Sequence, residues 1–357
     1  MSDEASSIRG RGAAANPASR FETLHLEREE DWDPAEDPSP RTMFLRDASA
    51  SIINYNDSPD IGFTASINPY RGCEHGCIYC YARPTHEYLG FSAGLDFESK
   101  IMVKDNAPEL LRKELTSPKW KPQVIAMSGV TDCYQPVERR LKLTRRCLEV
   151  LAEFRNPVGI VTKNHLVTRD VDVLQNLARD HAVVVFISLT TLDESLARKL
   201  EPRASLPGHR LAAMEALSRA GVPVGVMTAP IIPALNDHEI PKLINAAVSA
   251  GAQFAGYVAL RLPHGLGTLF EDWLARHYPD RKEKVLNRLK AIRGGRINDP
   301  NFGTRMRGEG VFADQIESMF DAACRRAGIA GRRPELSATA FRVPFGEPGS
   351  RQRMFPF

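Results

Sequence analysis

The sequence predicts an α/β fold on a parallel sheet, closed or part-closed. Two observations carry that expectation: six apolar runs of strand length and helical periodicity between them. In chain order, residues 64–71 lead into the cysteines, and the later runs cover 123–127, 158–162, 182–188, 222–227 and 254–260. These runs are continuous and rich in β-branched residues, as strands buried on both faces are. Amphipathic helices are expected over about 138–154 and 208–220. A third starts at Ile240, whose apolar partners Leu243, Ile244, Ala247 and Val248 share one helical face before Gly251. Strand–helix alternation places ligands at the strand C-terminal ends. A doubly wound sheet has the same local signature, and periodicity does not choose between it and a barrel.

The flanks differ from this core. Residues 1 to about 45 combine Arg9-Gly10-Arg11-Gly12-Ala13-Ala14-Ala15 with an acidic run, residues 22–37, that has eight carboxylates around Arg28. A mobile, disordered N-terminal segment is expected there. Residues 60–280 would form the core domain and 281–357 a basic C-terminal extension, with 16 Lys or Arg against 8 Asp or Glu. The whole chain of 357 residues carries only +3, so positive charge is concentrated at that end. Such a segment suits the phosphates of a nucleic acid, or an ordinary solvated surface. No stretch reaches the ~18 apolar residues of a membrane span, and no membrane partner is expected. The polar start, Met1-Ser2-Asp3-Glu4, lacks the apolar core of a secretory signal. Six cysteines, three of them crowded together, suit metal ligation in a reducing compartment better than disulfides. A cytoplasmic location is the expectation.

Cys73, Cys77 and Cys80 stand in C-x3-C-x2-C spacing. Three thiolates so placed can hold three irons of a 4Fe-4S cluster and leave the fourth open, whereas a cluster bound by protein alone takes four. Gly72 and Gly76 let the loop turn at positive φ. The competing reading is a structural zinc site with His75, His86 or Cys133 as fourth ligand, although no second ligand pair follows. The motif, with Tyr79 just before its last cysteine, resembles that of the radical S-adenosylmethionine (SAM) enzymes. The resemblance implies that SAM chelates the open iron, that an electron from the reduced cluster splits its sulfonium, and that the 5′-deoxyadenosyl radical takes hydrogen from a substrate. It also implies a partial (β/α)6 TIM-like barrel, and an electron donor such as flavodoxin or ferredoxin.

Polar residues end several of the expected strands. Ser128, Gly129, Thr131 and Asp132 are candidate contacts for the methionine ammonium of SAM, or else a turn capping the next helix. Asn68-Pro69-Tyr70-Arg71-Gly72, Tyr81-Ala82-Arg83, Thr131 through Pro136, Ser188 through Asp193 and Leu200-Glu201-Pro202-Arg203 resemble the spore photoproduct lyase-like branch, often labelled DNA repair photolyases. By that resemblance Ser188 and Thr190 approach the SAM ribose or the substrate, with Glu201 and Arg203 at the same mouth. In the lyase a cysteine near the end of strand two returns a hydrogen to the product radical, which makes Cys133 the candidate donor. Cys147 and Cys324 read as packing or surface residues. Asn236 and Asp237, after strand five, are candidate helix caps, and Arg261, after strand six, is a candidate anion ligand. A nucleic-acid lesion, a peptide, a tRNA or a small molecule all remain open as substrate. A non-catalytic iron–sulfur or zinc protein, used for binding or redox sensing, also remains open.

Overall fold

The computed structural model describes residues 8–17, 20–21, 41–332 and 335–344. Its strands are β1 (Met43–Arg46), β2 (Ile53–Tyr55), β3 (Ala65–Ile67), β4 (Tyr70–Arg71), β5 (Lys100–Val103), β6 (Ile125–Met127), β7 (Val158–Thr162), β8 (Val183–Ser188), β9 (Val224–Ile231) and β10 (Phe254–Ala259). The helices are α1 (Leu95–Ser99), α2 (Ala107–Thr116), α3 (Glu138–Leu141), α4 (Leu143–Phe154), α5 (Val171–Arg179), α6 (Glu194–Leu200), α7 (Pro207–Arg219), α8 (Ile240–Ser249), α9 (Leu266–His277), α10 (Pro279–Ala291) and α11 (Val311–Arg326).

One seven-stranded sheet runs in the order β10-β9-β8-β7-β6-β3-β2. Its β3 and β6 to β10 are parallel neighbours in chain order, and only β2 joins antiparallel. A doubly wound sheet reverses its strand order at a switch point, and this sheet has no reversal. The fold is therefore a part-closed (β/α)6 barrel, with β10 and β2 as its open edges. The main apolar core lies between these strands and α2, α4, α5, α7, α8 and α11. A second apolar cluster joins α6, α9 and α10 to Cys77, Ile78 and Tyr79 of the cysteine loop.

Several sequence expectations change in the structure. The expected strand over 64–71 is broken at Asn68-Pro69, because Pro69 has no N–H for the ladder. Its second half, β4, pairs antiparallel with β5 in a separate sheet of order β1-β5-β4. The expected helix over 138–154 breaks into α3 and α4 at Lys142, whose φ is 55°. Residues 229–231 continue β9 rather than starting a loop. The boundary expected near 280 falls inside a helical hairpin of α9 and α10. The N-terminal segment also differs from expectation, for Ala13 is fully buried and packs in the second apolar cluster. The acidic run of residues 22–37 lies outside the described residues.

Residues of the C-terminal extension span the barrel's open side. Met306 accepts from the β10 backbone at Ala259 N (2.9 Å), while Gly303 N and Arg305 Nε donate to Asp60 in the loop after β2 (2.8 and 2.5 Å). Among the described residues no helix is long and apolar enough to cross a membrane.

Gly225 shows how tightly the sheet is filled. A Cβ there would lie 2.7 Å from the Phe186 ring and 3.1 Å from Phe254 O. Gly225→Val should cost about 1–3 kcal/mol through overpacking, read as a lower midpoint in thermal or urea unfolding.

Candidate active site

The cysteine loop leaves β4 through Gly72 and turns again at Gly76, both in the left-handed region with φ of 81° and 66°. A side chain at Gly72 would press on His86 and on the carbonyls of Phe97 and Lys100. One arginine holds the loop's path. Arg83, fully buried, donates from Nε to Cys77 O (2.9 Å) and from its terminal nitrogens to Gly76 O (3.1 Å), Ala93 O (3.1 Å) and Gly94 O (2.9 Å). It also pairs with buried Glu98 at 2.5 Å. The Glu98 carboxylate accepts from Gly12 N and Ala13 N as well (both 2.9 Å), so the N-terminal segment is tied to the back of the loop. The approach is so close that a Cβ on Gly12 would overlap the Gly76 carbonyl oxygen.

Cys73 and Cys77 are buried, Cys80 is half-buried, and none forms a disulfide. Burial pushes all three thiols up, and Cys77 and Cys80 add to the rise at Cys73, so the three lie within electrostatic range of one another. Lys163 and Arg210 act in the opposite sense at Cys77. Metal binding would displace the thiol protons. Each fourth ligand considered for zinc is engaged elsewhere. His75 has Nδ1 3.4 Å from Asp132 and Nε2 3.2 Å from Asn164 Nδ2. His86 has Nε2 2.9 Å from Lys100 O, and its ring sits against Phe91 and Phe97, where burial lowers its pKa to about 4. Cys133 is buried in the main apolar core. Among the described residues no three His, Cys, Asp or Glu side chains gather as ligands of a single ion. The loop itself carries three thiols, a donor set that fits a cluster whose last iron takes a ligand from outside the protein.

The strand-end residues converge on this loop, but largely through contacts with one another. Asp132 accepts from Thr162 Oγ1 (2.8 Å), Lys163 N (2.8 Å) and Tyr134 N (2.9 Å). Burial raises its pKa, and His75 and these donors outweigh that and hold it low. Thr131 Oγ1 donates to Tyr70 O (2.7 Å), and Ser128, at φ 74°, accepts from Cys133 N (2.9 Å). Gly129 O accepts from Tyr81 OH (2.9 Å), and a Cβ at Gly129 would meet Ser66. Ser188 is buried, and its carbonyl accepts from Arg210 (3.1 Å). Thr190 Oγ1 donates to Glu201 (2.7 Å). Asn236 does not cap the next helix; its amide donates to Thr190 O and Pro230 O (2.9 and 3.1 Å).

Glu201 is the centre of this second network. It pairs with Arg210 and accepts from Tyr79 OH, and Lys163 Nζ lies 3.7 Å away. Burial raises its pKa, yet Arg210 and Lys163 together bring it down to about 2. Arg203, read beside it, turns instead to Glu74 at 3.1 Å. Glu98, Lys163 and Arg210 carried no signal in the sequence, being single charges far from the motif. Arg83 stood within a quoted phrase, but its grip on the loop was not foreseen.

The sequence profile of the radical SAM superfamily matches residues 67–247. The chain belongs to that superfamily. An uncharacterized protein of Mycobacterium tuberculosis is 38% identical over 220 residues, covering 61% of this chain and 65% of that protein. The match therefore spans just under two thirds of the mycobacterial relative. An uncharacterized protein of Methanocaldococcus jannaschii is 29% identical over 222 residues, 62% of this chain and 79% of that one. Among solved structures, spore photoproduct lyase complexed with dinucleoside spore photoproduct superposes with a TM-score of 0.57 at 16% identity, covering 79% of each chain. A variant of the same lyase with bound AdoMet and dinucleoside spore photoproduct gives 0.56 at 16%, covering 79% of this chain and 78% of that one. At that identity the likeness is one of fold. Radical SAM family membership implies a 4Fe-4S cluster and SAM as cofactors.

Two outcomes follow from this geometry. Gly12→Val should lower the iron and sulfide retained after anaerobic reconstitution, measured by chemical analysis, while far-UV circular dichroism keeps its α/β signature. Glu201→Gln leaves Arg210 buried beside a neutral partner and should cost about 3–5 kcal/mol near pH 7. Because the folded carboxyl lies below its ordinary 4.5, the stability it contributes is present above about 4.5 and lost as pH falls toward 2. The gap between wild type and variant in urea unfolding should narrow across that window.

Proposed function

We propose that the chain is a SAM-cleaving enzyme whose Cys73, Cys77 and Cys80 hold the cluster, and that its substrate is a nucleic-acid lesion handled by lyase-type chemistry. The observation that carries the reading is the three-thiol loop, its path held by Arg83 and Glu98, in a radical SAM family member. When bound, the cluster and SAM supply one-electron cleavage of the sulfonium to methionine and a 5′-deoxyadenosyl radical, which leaves as 5′-deoxyadenosine after taking a hydrogen atom from substrate. The electron comes from a donor such as flavodoxin or ferredoxin, since radical SAM enzymes generally need one.

The chain's own residues prepare this chemistry by position and charge. Arg83 fixes the carbonyls of Gly76 and Cys77 so that the thiols need little rearrangement on binding. Lys163 and Arg210 favour the thiolate at Cys77, while Glu201 opposes it. Ser128, Gly129, Thr131 and Asp132, with Ser188 and Thr190, form the wall facing SAM. In that wall Asp132 and Thr190 work chiefly as positioning residues, because their side chains are already hydrogen-bonded within the protein. Cys133 is the candidate hydrogen donor to the product radical, and its burial requires the loop after β6 to open for that role.

The substrate class rests on two supports. One is the fold shared with a lyase crystallised with a dinucleoside lesion. The other is the basic C-terminal region, part of whose charge is turned inward: Arg293 donates to four backbone carbonyls, and Arg305 pairs with Asp60.

The test is anaerobic reconstitution, reduction, addition of SAM and quantification of 5′-deoxyadenosine beside Cys77→Ala. The nucleoside should form with the intact motif and be lost in the variant; a zinc-loaded protein, or a cluster that never cleaves SAM, ends the enzyme reading. Cys133→Ala, followed for release of repaired product from lesion-bearing DNA, tests the donor role, and an undiminished yield removes Cys133 from the mechanism.

A further inference from the structure

Arg261 follows β10 directly, at the rim of the barrel's open side. Arg261 is half-buried, and its neighbourhood differs from that of the buried arginines. Arg83 and Arg210 each face a carboxylate, and Arg293 gives its terminal nitrogens to four carbonyls, although its Nε, like that of Arg261, has no partner among the described residues. Arg261 has neither kind of partner: its contact is Nη1 to the thioether of Met306 at 3.2 Å, a weak acceptor, and its Nε is buried with no hydrogen-bond partner among the described residues. The nearest carboxylates are occupied, Asp60 by Arg305 and Gly303, and Asp299 by Thr304 and Asn301. Asp60 and Asp299 act on Arg261 at a distance only, so its guanidinium keeps hydrogen-bonding capacity for a ligand.

The surroundings hold Arg261 rigidly in that state. Arg293 draws Ala259 O and Leu260 O on one side and Thr304 O and Arg305 O on the other onto a single guanidinium, so the backbone beside Arg261 is locked to residues 304–306. Arg305 adds a second positive charge close enough to disfavour the first. On the opposite side lies Tyr81, the residue after Cys80, which is within electrostatic range of Arg261 and bonded to Gly129 O at the end of strand two. Arg261 and the residue that follows the last cysteine thus lie within electrostatic range of one another.

We infer that Arg261 is the substrate anchor, binding a phosphate group at the open side of the barrel. The planar fork of a guanidinium matches two phosphate oxygens. This inference rests on the reading of the chain as a SAM enzyme acting on nucleic acid, and it names the residue that holds such a substrate.

The experiment is a fluorescence-anisotropy titration of labelled single-stranded oligothymidylate against reconstituted full-length protein in the presence of SAM. It compares wild type, Arg261→Gln, Arg261→Lys and, as an outer-surface control, Arg325→Gln on α11. Arg261→Gln should weaken binding about tenfold or more, Arg261→Lys less, and Arg325→Gln not at all. Competition by thymidine monophosphate and by inorganic phosphate shows whether the nucleotide or the phosphate alone carries the contact. If Arg261→Gln fails to fold, the Lys variant still tests the fork, since it keeps the charge and loses the bidentate geometry. The inference is overturned by absence of oligonucleotide binding in the wild type, or by equal affinities across the series. Loss of SAM binding in Arg261→Gln would also overturn it, by assigning the residue to the cofactor. Formation of 5′-deoxyadenosine by the wild type without oligonucleotide tests the enzyme reading separately.

Discussion

The buried ion pair of Arg83 and Glu98 is the constraint on which the candidate site depends. Two charges removed from water are stable only when their remaining hydrogen-bonding capacity is met. Here it is met: all five Arg83 N–H donors have acceptors, and Glu98 takes two backbone amides besides its cation. Because four of those acceptors are backbone carbonyls, the pair fixes chain path rather than side-chain contact. It draws the middle of the cysteine loop, the turn before α1 and the N-terminal segment onto one centre. A loop with two glycines at positive φ has little intrinsic preference for its shape, so that shape must be imposed from outside.

Glu201 supplies the complementary constraint from the barrel side. Tyr79 belongs to the loop, Thr190 follows β8, Lys163 follows β7 and Arg210 lies on α7, yet all four meet one carboxylate. The network couples the position of the loop to two consecutive strand–helix units, those that begin with β7 and β8. It also sets local charge, for a carboxylate beside Cys77 resists an added negative charge while two cations invite it. Opposing influences of this kind are how a protein tunes a metal site without supplying another ligand.

Legibility in the sequence follows the range of the signal. The six strands and their helices announce themselves through spacing of 2 to 4 residues, and these expectations held apart from local boundaries. The break at Pro69 was legible in principle, since a proline within a strand removes a ladder donor. Residues 8–17 were not: Gly-Arg-Gly-Ala repeats look unstructured, and what orders them is a pair of backbone amides reaching Glu98, 86 and 85 residues away. The same holds for Lys163, Glu201 and Arg210, whose partnership appears only once β7, β8 and α7 are assembled. Asp132 shows the converse, for a polar strand-end residue read from the sequence as a ligand contact also accepts from Thr162, Lys163 and Tyr134, partners that the sequence does not announce.

The open side of the barrel is where this chain departs from a shared core. A six-stranded arc that fixes cofactor chemistry leaves specificity to whatever fills the missing strands, because fold and reaction do not determine substrate. Here residues 299–307 fill part of that gap, pinned to β10 through Met306 and to the loop after β2 through Asp60. Several arginines of the basic extension are consumed in holding that segment, so net charge along the sequence overstates what a ligand would meet. Arg261, at the end of β10, has by contrast only the Met306 thioether as a hydrogen-bond partner among the described residues. Selectivity for an anionic substrate would then arise from one rigidly held guanidinium within electrostatic range of Tyr81 rather than from a diffuse positive tail. A diffuse tail attracts any polyanion, whereas a fixed fork places one phosphate, and with it the neighbouring hydrogen, at a set distance from the radical's source.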